Sequence, residues 1–309
     1  MGEDVVVALD VGGTGIKCAL VDASGTVRYS ERHPTGAERG SDAVVAGILD
    51  IGDGLVATAH HLGLHPTAVG IIVPGVIDEV AGVAVWAANV GFRDVPLRKL
   101  IQERLGLPTA LGHDVRGGGL AEARLGAGRG YRHVFAVMIG TGIAAASVVD
   151  GKVFSGEHGA AGEIGHIVVR PQGPPCGCGQ RGCLEAVASA AAVGRRYTER
   201  AGRSAGADEV AALAVAGDPV AAEVWQETID ALADGLLIGI ALFDPAVLVI
   251  GGGLAEAGDT LMRPLADALH SRVTFHREPE LRRAALGDEA GSLGAALLAL
   301  DLLGSGNDS

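Results

Sequence analysis

Three cysteines and a histidine lie close together in this sequence: His166, then Cys176, Cys178 and Cys183. Three thiols and an imidazole complete a tetrahedral ligand set for a structural zinc ion, and thiolates select zinc over magnesium or calcium. Gly177, Gly179 and Gly182 sit among the sulfurs. Glycine lets so short a loop fold back until all three sulfurs reach one point. A redox pair or chance clustering is the alternative, and ligand count and spacing favour the metal. Glu163 lies three residues before His166, and Glu185 two after Cys183. An imidazole bound to zinc through one nitrogen keeps the other for a hydrogen bond. A sugar hydroxyl is one such partner, and the metal would then aim His166 at a substrate. Both acids also fit the first turn of a helix, where carboxylates are favoured.

A second group of residues suits phosphate. Asp10-Val11-Gly12-Gly13-Thr14-Gly15 follows a β-branched run, and Gly140-Thr141-Gly142 follows another. Glycine turns expose backbone N–H groups to an anion, and Asp10 could hold Mg2+ through water. An ordinary hairpin turn is the bland alternative. Asp114 ends a short strand, where α/β folds place ligands; it reads as a general base or as the N-cap of the next helix. Asn89 reads as a turn residue or a sugar-hydroxyl ligand. Gly251-Gly252-Gly253 closes a buried strand and offers backbone to a flat ring or ribose, although a simple β-to-α turn is also open.

The elements that must position these residues follow from periodicity and punctuation. Val5 to Val11, Ile16 to Val21 and Thr26 to Ser30 read as a β-meander around the first glycine turn, not as the strand–loop–helix of a dinucleotide site. Ser41 to Leu62 reads as a helix stopped by Gly63, Ala68 to Val73 as a strand, and Trp86 to Phe92 as irregular. Pro96 to Leu105 is a short helix, Thr109 to Gly112 a strand, and Gly117 to Leu125 a helix. The meander then recurs over His133 to Ile139, Ile143 to Val149 and Lys152 to Phe154. Thr14 and Thr141 are 127 residues apart, so the chain reads as two copies of one α/β unit. The zinc region is an insertion in the second copy. Leu184 to Ala201 reads as one helix. Asp218 caps a long helix that opens with Pro219 and runs to Phe243. Ala246 to Ile250 is a strand, Met262 to Ser271 a helix, Leu281 to Leu286 a strand, and Gly291 to Leu303 a closing helix. Residues 304–309 read as frayed.

Composition narrows the function classes. The chain has 309 residues, 48% of them hydrophobic, with mean hydropathy +0.34, which describes a globular protein with ample core. A net charge of −13 without a basic block argues against nucleic acid as the main partner. Clustered cysteines point to a reducing compartment. The acidic start Met1-Gly2-Glu3-Asp4 predicts no signal peptide, and Val6 stands where a myristoylation signal needs Ser or Thr. The longest apolar helical stretch, Leu232 to Phe243, is too short for a membrane span and contains Asp234. The expectation is a cytoplasmic protein without membrane or nucleic-acid partners.

With both Gly-Thr turns, the glycine triplet and the cysteine cluster placed, the chain resembles the ROK family of repressors, open reading frames and sugar kinases, and within it the bacterial glucokinases. Cys176-x-Cys178-Gly179-x-x-Gly182-Cys183-Leu184-Glu185, with Glu163-x-Gly165-His166 upstream, is the most specific match. Asp10-x-Gly12-Gly13-Thr14 matches the family's first phosphate loop and Gly140-Thr141-Gly142 its second. The resemblance implies a duplicated actin-like ATPase fold, related to ribonuclease H, with two domains, a nucleotide cleft and the zinc insertion. It implies a smaller domain over 1–115, rejoined by the closing helix at about 290–309, and a larger one over 116–289 with the zinc motif 166–183. ATP, Mg2+ and structural Zn2+ are the implied cofactors, a hexose the substrate, and a dimer or tetramer the assembly. Asp114 falls where the family places its catalytic base, and Asn89, Glu163, His166 and Glu185 where it lines the sugar pocket. His113 departs from the family's usual Asn at a position that touches the sugar. Val115-Arg116-Gly117 and Ile143-Ala144-Ala145-Ala146 also depart from the usual pattern. A sugar-responsive repressor would need a DNA-binding module ahead of the first strand, and here the strand opens at Val5.

Overall fold

A computed structural model of the chain describes residues 2–305. The expected fray therefore lies outside the described residues from 306 onward. The chain forms two compact units. The first holds the residues up to Ala121, the segment Ser155–Ala160, and the residues from Asp288 onward. The second holds Glu122–Phe154 and Ala161–Gly287.

In the first unit, β1 (Glu3–Val11), β2 (Gly15–Asp22), β3 (Val27–Pro34), β4 (Leu64–Val73) and β8 (Thr109–His113) make one sheet in the order β3-β2-β1-β4-β8. The first three strands pair antiparallel, and β4 and β8 add on in parallel. Side chains alternate across a strand. Val5, Val7, Leu9 and Val11 on one face pack with Val44, Ile48 and Leu55 of α1 (Ser41–His61). The closing helix α9 (Ala290–Ser305) packs against β1, β4 and β8. There Gly70 meets the Ala295 carbonyl so closely that a Cβ would collide with it.

In the second unit, β9 (His133–Ile139), β10 (Ile143–Val149), β11 (Lys152–Phe154), β12 (Val247–Gly251) and β13 (Glu280–Arg283) take the order β11-β10-β9-β12-β13. Directions match strand for strand: β10 and β11 are antiparallel, while β12 and β13 are parallel. The duplication expected from the repeated Gly-Thr turn is thus a duplicated sheet topology. Helix α7 (Pro219–Phe243) starts and stops where the sequence predicts, with Asp218 Oδ1 accepting from Ala221 N at 2.8 Å.

Several elements differ from the sequence reading. The stretch around Trp86 is a small antiparallel sheet of β5 (Val76–Asp78), β6 (Val83–Ala87) and β7 (Phe92–Val95), and only 88–91 between the last two strands is irregular. The single helix expected over Leu184 to Ala201 is two, α4 (Leu184–Ala188) and α5 (Ala190–Ala201). Ser189 is extended between them, and its side chain caps α5 by accepting from Ala192 N at 3.1 Å. Helix α6 (Ala207–Val215) has no counterpart in the sequence reading. The helix starting at Gly117 begins three residues earlier, as α3 (Asp114–Arg124). Helix α2 (Leu97–Leu105) and helix α8 (Asp259–Arg272) complete the set used below. By length and hydropathy it is α1, not the stretch ending at Phe243, that is long and apolar enough to cross a membrane. Its Val44, Ile48, Leu55 and Ala59 are buried in the first core, which is how a core helix passes that test.

Candidate functional site

The first glycine turn joins β1 to β2. Asp10 pairs in register with Lys17, and Val11 with Ile16, so residues 12–15 form the loop. Gly12 N donates to Gly15 O at 2.9 Å. The buried Thr35, which the sequence reading passed over, pins the turn by donating its hydroxyl to Gly12 O at 2.6 Å. Its only sequence signal is a position just beyond β3. Thr14 is exposed at the tip. Asn89 does sit in a turn, as one of its two readings held. That turn lies against the glycine loop, where a Cβ on Gly13 would stand 3.2 Å from Asn89 Cβ.

Asp114 is the first residue of α3, directly after β8. Its Oδ1 accepts from Val115 N at 2.7 Å, a bond to the next residue and not the bond two or three residues on that the N-cap reading expects. His113 is buried, with Nδ1 3.3 Å from the same oxygen. β1 and β8 flank β4, so Asp10 and Asp114 both lie at the carboxyl end of one sheet. Burial raises the Asp10 carboxyl to about 6, partly offset by Lys17, while Asp114 and Asp288 push it further up. A half-buried carboxylate whose charge is disfavoured by its surroundings is a place for a cation. One carboxylate suits Mg2+, which keeps waters and takes substrate phosphate oxygens for its remaining ligands.

The second unit repeats the turn with different pins. Ile139 pairs with Ile143, leaving Gly140-Thr141-Gly142 as the loop. Gly140 O accepts from Ala190 N at 2.8 Å at the start of α5, and Ile143 N donates to Glu185 Oε2 at 3.0 Å. Gly142 packs so closely on that carboxylate that a side chain would strike it. Glu185 is in the first turn of α4, so the helix-start reading holds, and its carboxylate also touches the second glycine turn. The glycine triplet has local reasons for two of its members. A Cβ on Gly251 would lie 2.5 Å from Met138 Sδ, and Gly252 has φ 81° with Ile139 O at 2.6 Å from a Cβ. Gly253 alone opens onto free space. A cavity of about 640 Å3 lined by Tyr131, Arg132, Asp244 and Glu280 lies at the opposite end of the sheet and has no part in these turns.

The cysteine cluster assembles as the spacing predicts. The ligand atoms of His166, Cys176, Cys178 and Cys183 all lie within 4.8 Å of one another. Cys178 Sγ and Cys183 Sγ are 3.6 Å apart, and His166 Nδ1 is 3.6 Å from Cys176 Sγ. Tetrahedral zinc with ordinary bond lengths requires about 3.8 Å between sulfurs and about 3.6 Å from nitrogen to sulfur. The donor set therefore fits zinc through Nδ1, leaving Nε2 on the side of Glu163, whose Oε2 is 3.9 Å away. Gly179 and Gly182 have φ of 92° and 70°, while Gly177 does not need a positive φ. Arg170 ties the insertion to α7 through Asp234 Oδ2 at 2.6 Å.

Known proteins resemble the chain over nearly its whole length. A glucokinase from Halalkalibacterium halodurans is 33% identical across 96% of both chains. An N-acetylmannosamine kinase from Citrobacter koseri is 34% identical, covering 94% of this chain and 97% of that one. The crystal structure of a ROK family glucokinase from Streptomyces griseus in complex with glucose and AMPPNP aligns with a TM-score of 0.80 at 30% identity, covering 96% of this chain and 99% of that one. The ROK family pattern matches residues 6–302, and with the duplicated sheets, the two glycine turns and the cluster of one histidine and three cysteines, the chain belongs to the ROK family.

Proposed function

We propose that the chain is an ATP-dependent hexose kinase that transfers the γ-phosphoryl group of Mg-ATP to the C6 hydroxyl of a hexose, glucose first among them. The observation that carries this reading is the pair of carboxylates at one sheet end. Asp114 has one oxygen tied to Val115 N, and Asp10 sits beside a glycine turn within reach of its charge. The glucokinase relatives support the substrate class.

In this mechanism Asp114 Oδ2 accepts the proton of the sugar hydroxyl, which attacks the γ-phosphorus in line. The bond to the bridging oxygen breaks, and ADP leaves with the electron pair. Such transfers depend mainly on positioning and charge neutralisation, so the carboxylate need not be a strong base. The N–H groups of the turns 12–15 and 140–142 would hold phosphate oxygens, and Gly253 would face the nucleoside. Mg2+ near Asp10 would supply charge neutralisation on the phosphates. Asn89, His113, Glu163, His166 and Glu185 would hold sugar hydroxyls. Glu185 can do so with Oε1, since Oε2 is engaged by Ile143 N. His166, Cys176, Cys178 and Cys183 would hold zinc with no open position for chemistry, and that ligation would keep His166 in place.

A second reading is a kinase for an amino or N-acetyl hexose. His113 favours it, because an imidazole is bulkier than the family's usual carboxamide and offers one donor or acceptor per nitrogen. The N-acetylmannosamine kinase relative is as similar as the glucokinase. A cytoplasmic location and a dimer or tetramer go with either reading, and light scattering tests the assembly.

The test is coupled ADP release with Mg-ATP over glucose, N-acetylglucosamine, N-acetylmannosamine, mannose, fructose and kanosamine. Turnover led by glucose is expected. Turnover confined to amino or N-acetyl sugars would move the specificity to His113, and no turnover with any sugar would refute the kinase reading. Asp114→Asn should lower kcat by about 10²- to 10⁴-fold while calorimetric sugar affinity stays within a few-fold. Retained turnover would remove Asp114 as the base.

A further inference from the structure

We propose that Arg116 is a positioning residue: it anchors segment 155–160 to the helix that carries Asp114, and so limits where Glu163 and His166 can stand. The inference rests on the sugar-kinase reading for its consequence, but not for the anchor itself.

Segment Ser155–Ala160 belongs to the first unit, although the chain before and after it belongs to the second. Arg116 is 2% exposed. Its Nε and Nη2 donate to Glu79 Oε1 at 3.2 and 2.9 Å, and its Nη1 donates to Gly159 O at 2.8 Å. A buried guanidinium is costly unless its donors are engaged, and its planar fork fixes its partners in direction. Glu79 is itself held on a braced turn. Asp78 Oδ1 accepts from Val80 N and Ala81 N at 3.0 and 2.7 Å, and Arg98 Nη1 donates to Val80 O at 3.0 Å. On the other side Gly159 presses on β5: it has φ +67°, and a Cβ there would lie 2.7 Å from Ile77 O.

The segment is thus pinned at Gly159 from two directions. Glu163 follows four residues later, a reach of at most about 14 Å for extended chain. Arg116 also lies two residues after Asp114 on α3. One side chain therefore links the proposed base's helix to the strand of chain leading to the proposed sugar ligands. The sugar should feel its loss most, because the bonds of Arg116 run to Glu79 and Gly159 and not to the residues of either glycine turn.

The experiment compares Arg116→Ala, Arg116→Lys and Gly159→Ala with the wild-type full chain, in its zinc-loaded form. Hydrogen exchange over 155–163 and steady-state kinetics with each substrate are the readouts. Arg116→Ala should speed exchange in that segment and raise sugar KM tenfold or more, with MgATP KM within twofold and zinc content unchanged. Arg116→Lys should recover part of the loss. Gly159→Ala, whose methyl would clash with Ile77 O while meeting Arg116 only at ordinary contact distance, displaces the segment with α3 unaltered in sequence and should reproduce the split in KM. Unchanged exchange overturns the proposal. So does faster exchange with both KM values unchanged, or a sugar effect in Arg116→Ala that Gly159→Ala lacks, since that effect would run through Asp114's helix alone. If the wild-type chain phosphorylates no sugar, the kinase reading falls, and exchange still decides whether Arg116 holds the segment.

Discussion

At Asp10, stability and the proposed nucleotide binding are expected to respond to pH in opposite directions. Burial is the main cause of its rise from 3.8 to about 6. Between those values the folded chain keeps a proton that the unfolded chain has lost. The stability this group contributes is therefore fully present below about pH 4 and is lost as pH rises through about 6. The difference corresponds to roughly 3 kcal/mol at most. Asp10→Asn should consequently match the wild-type melting temperature near pH 4 and exceed it at pH 8. Nucleotide affinity should run the other way, weakening as pH falls through 6 because the proton competes with Mg2+, and Asp10→Asn should lose that limb. A stability difference that does not vary with pH would refute the account. At this scale the cluster of His166 and the three cysteines was legible, because those residues carry their chemistry in type and spacing. Thr35 and Arg116 were not, because what defines them is a partner: Gly12 lies 23 residues from Thr35, and Gly159 lies 43 from Arg116.

Among the elements, the closing helix shows how far packing depends on single atoms. Gly70 on β4 faces the Ala295 backbone carbonyl, which cannot move without moving α9. Gly112 on β8 faces Leu298 Cδ1, 2.5 Å from where a Cβ would stand, and a leucine tip can rotate away. Gly117 of α3 lies against the backbone of Gly294. Glycine inside a helix costs about 1 kcal/mol relative to alanine, so its use there is explained by close approach. Gly70→Ala should destabilise by about 3 kcal/mol or more, near the top of the overpacking range, and Gly112→Ala by about 1. Urea unfolding of the two variants checks the order; equal costs would mean that α9 yields as easily as a side chain. Strong punctuation made elements readable: Asp218-Pro219 marked the start of α7 to the residue. Weak punctuation hid them. Ser189 breaks a run of apolar residues with one hydroxyl, and the three short strands β5, β6 and β7 are too brief to show a period.

Across the whole molecule, the repeated Gly-Thr turn announced two matching sheets, and the sheets match in order and direction. The return of 155–160 to the first unit had no such signal, because it depends on contacts far apart in sequence. The insertion in the second unit has little regular structure of its own. From Ala161 to Cys183 the described backbone has one short 3-10 turn and two isolated bridges, Val168 with Cys183 and Pro175 with Arg181. It is tied to the rest by Arg170 with Asp234, by Ala145 N of β10 donating to Gly162 O at 2.7 Å, and by Ile164, Ile167 and Val169, which join the second core. The two sheets are each backed by a continuous apolar core of their own. Zinc held by His166 and the three cysteines would supply local folding energy to the insertion, and its removal should spare the sheets. Dialysis against a zinc chelator, or Cys178→Ser, should leave far-UV circular dichroism nearly unchanged while hydrogen exchange accelerates over 161–183. Because Glu163 and His166 ride on that segment, sugar affinity should fall about tenfold or more, and MgATP affinity should hold within about twofold. Zinc returned to the chelated wild-type chain should restore sugar binding, whereas Cys178→Ser should not respond. A metal-free chain that binds sugar at full affinity would mean that the insertion is held by Arg170 and its contacts with β10 and the second core without the metal, and that His166 is not aimed by the metal.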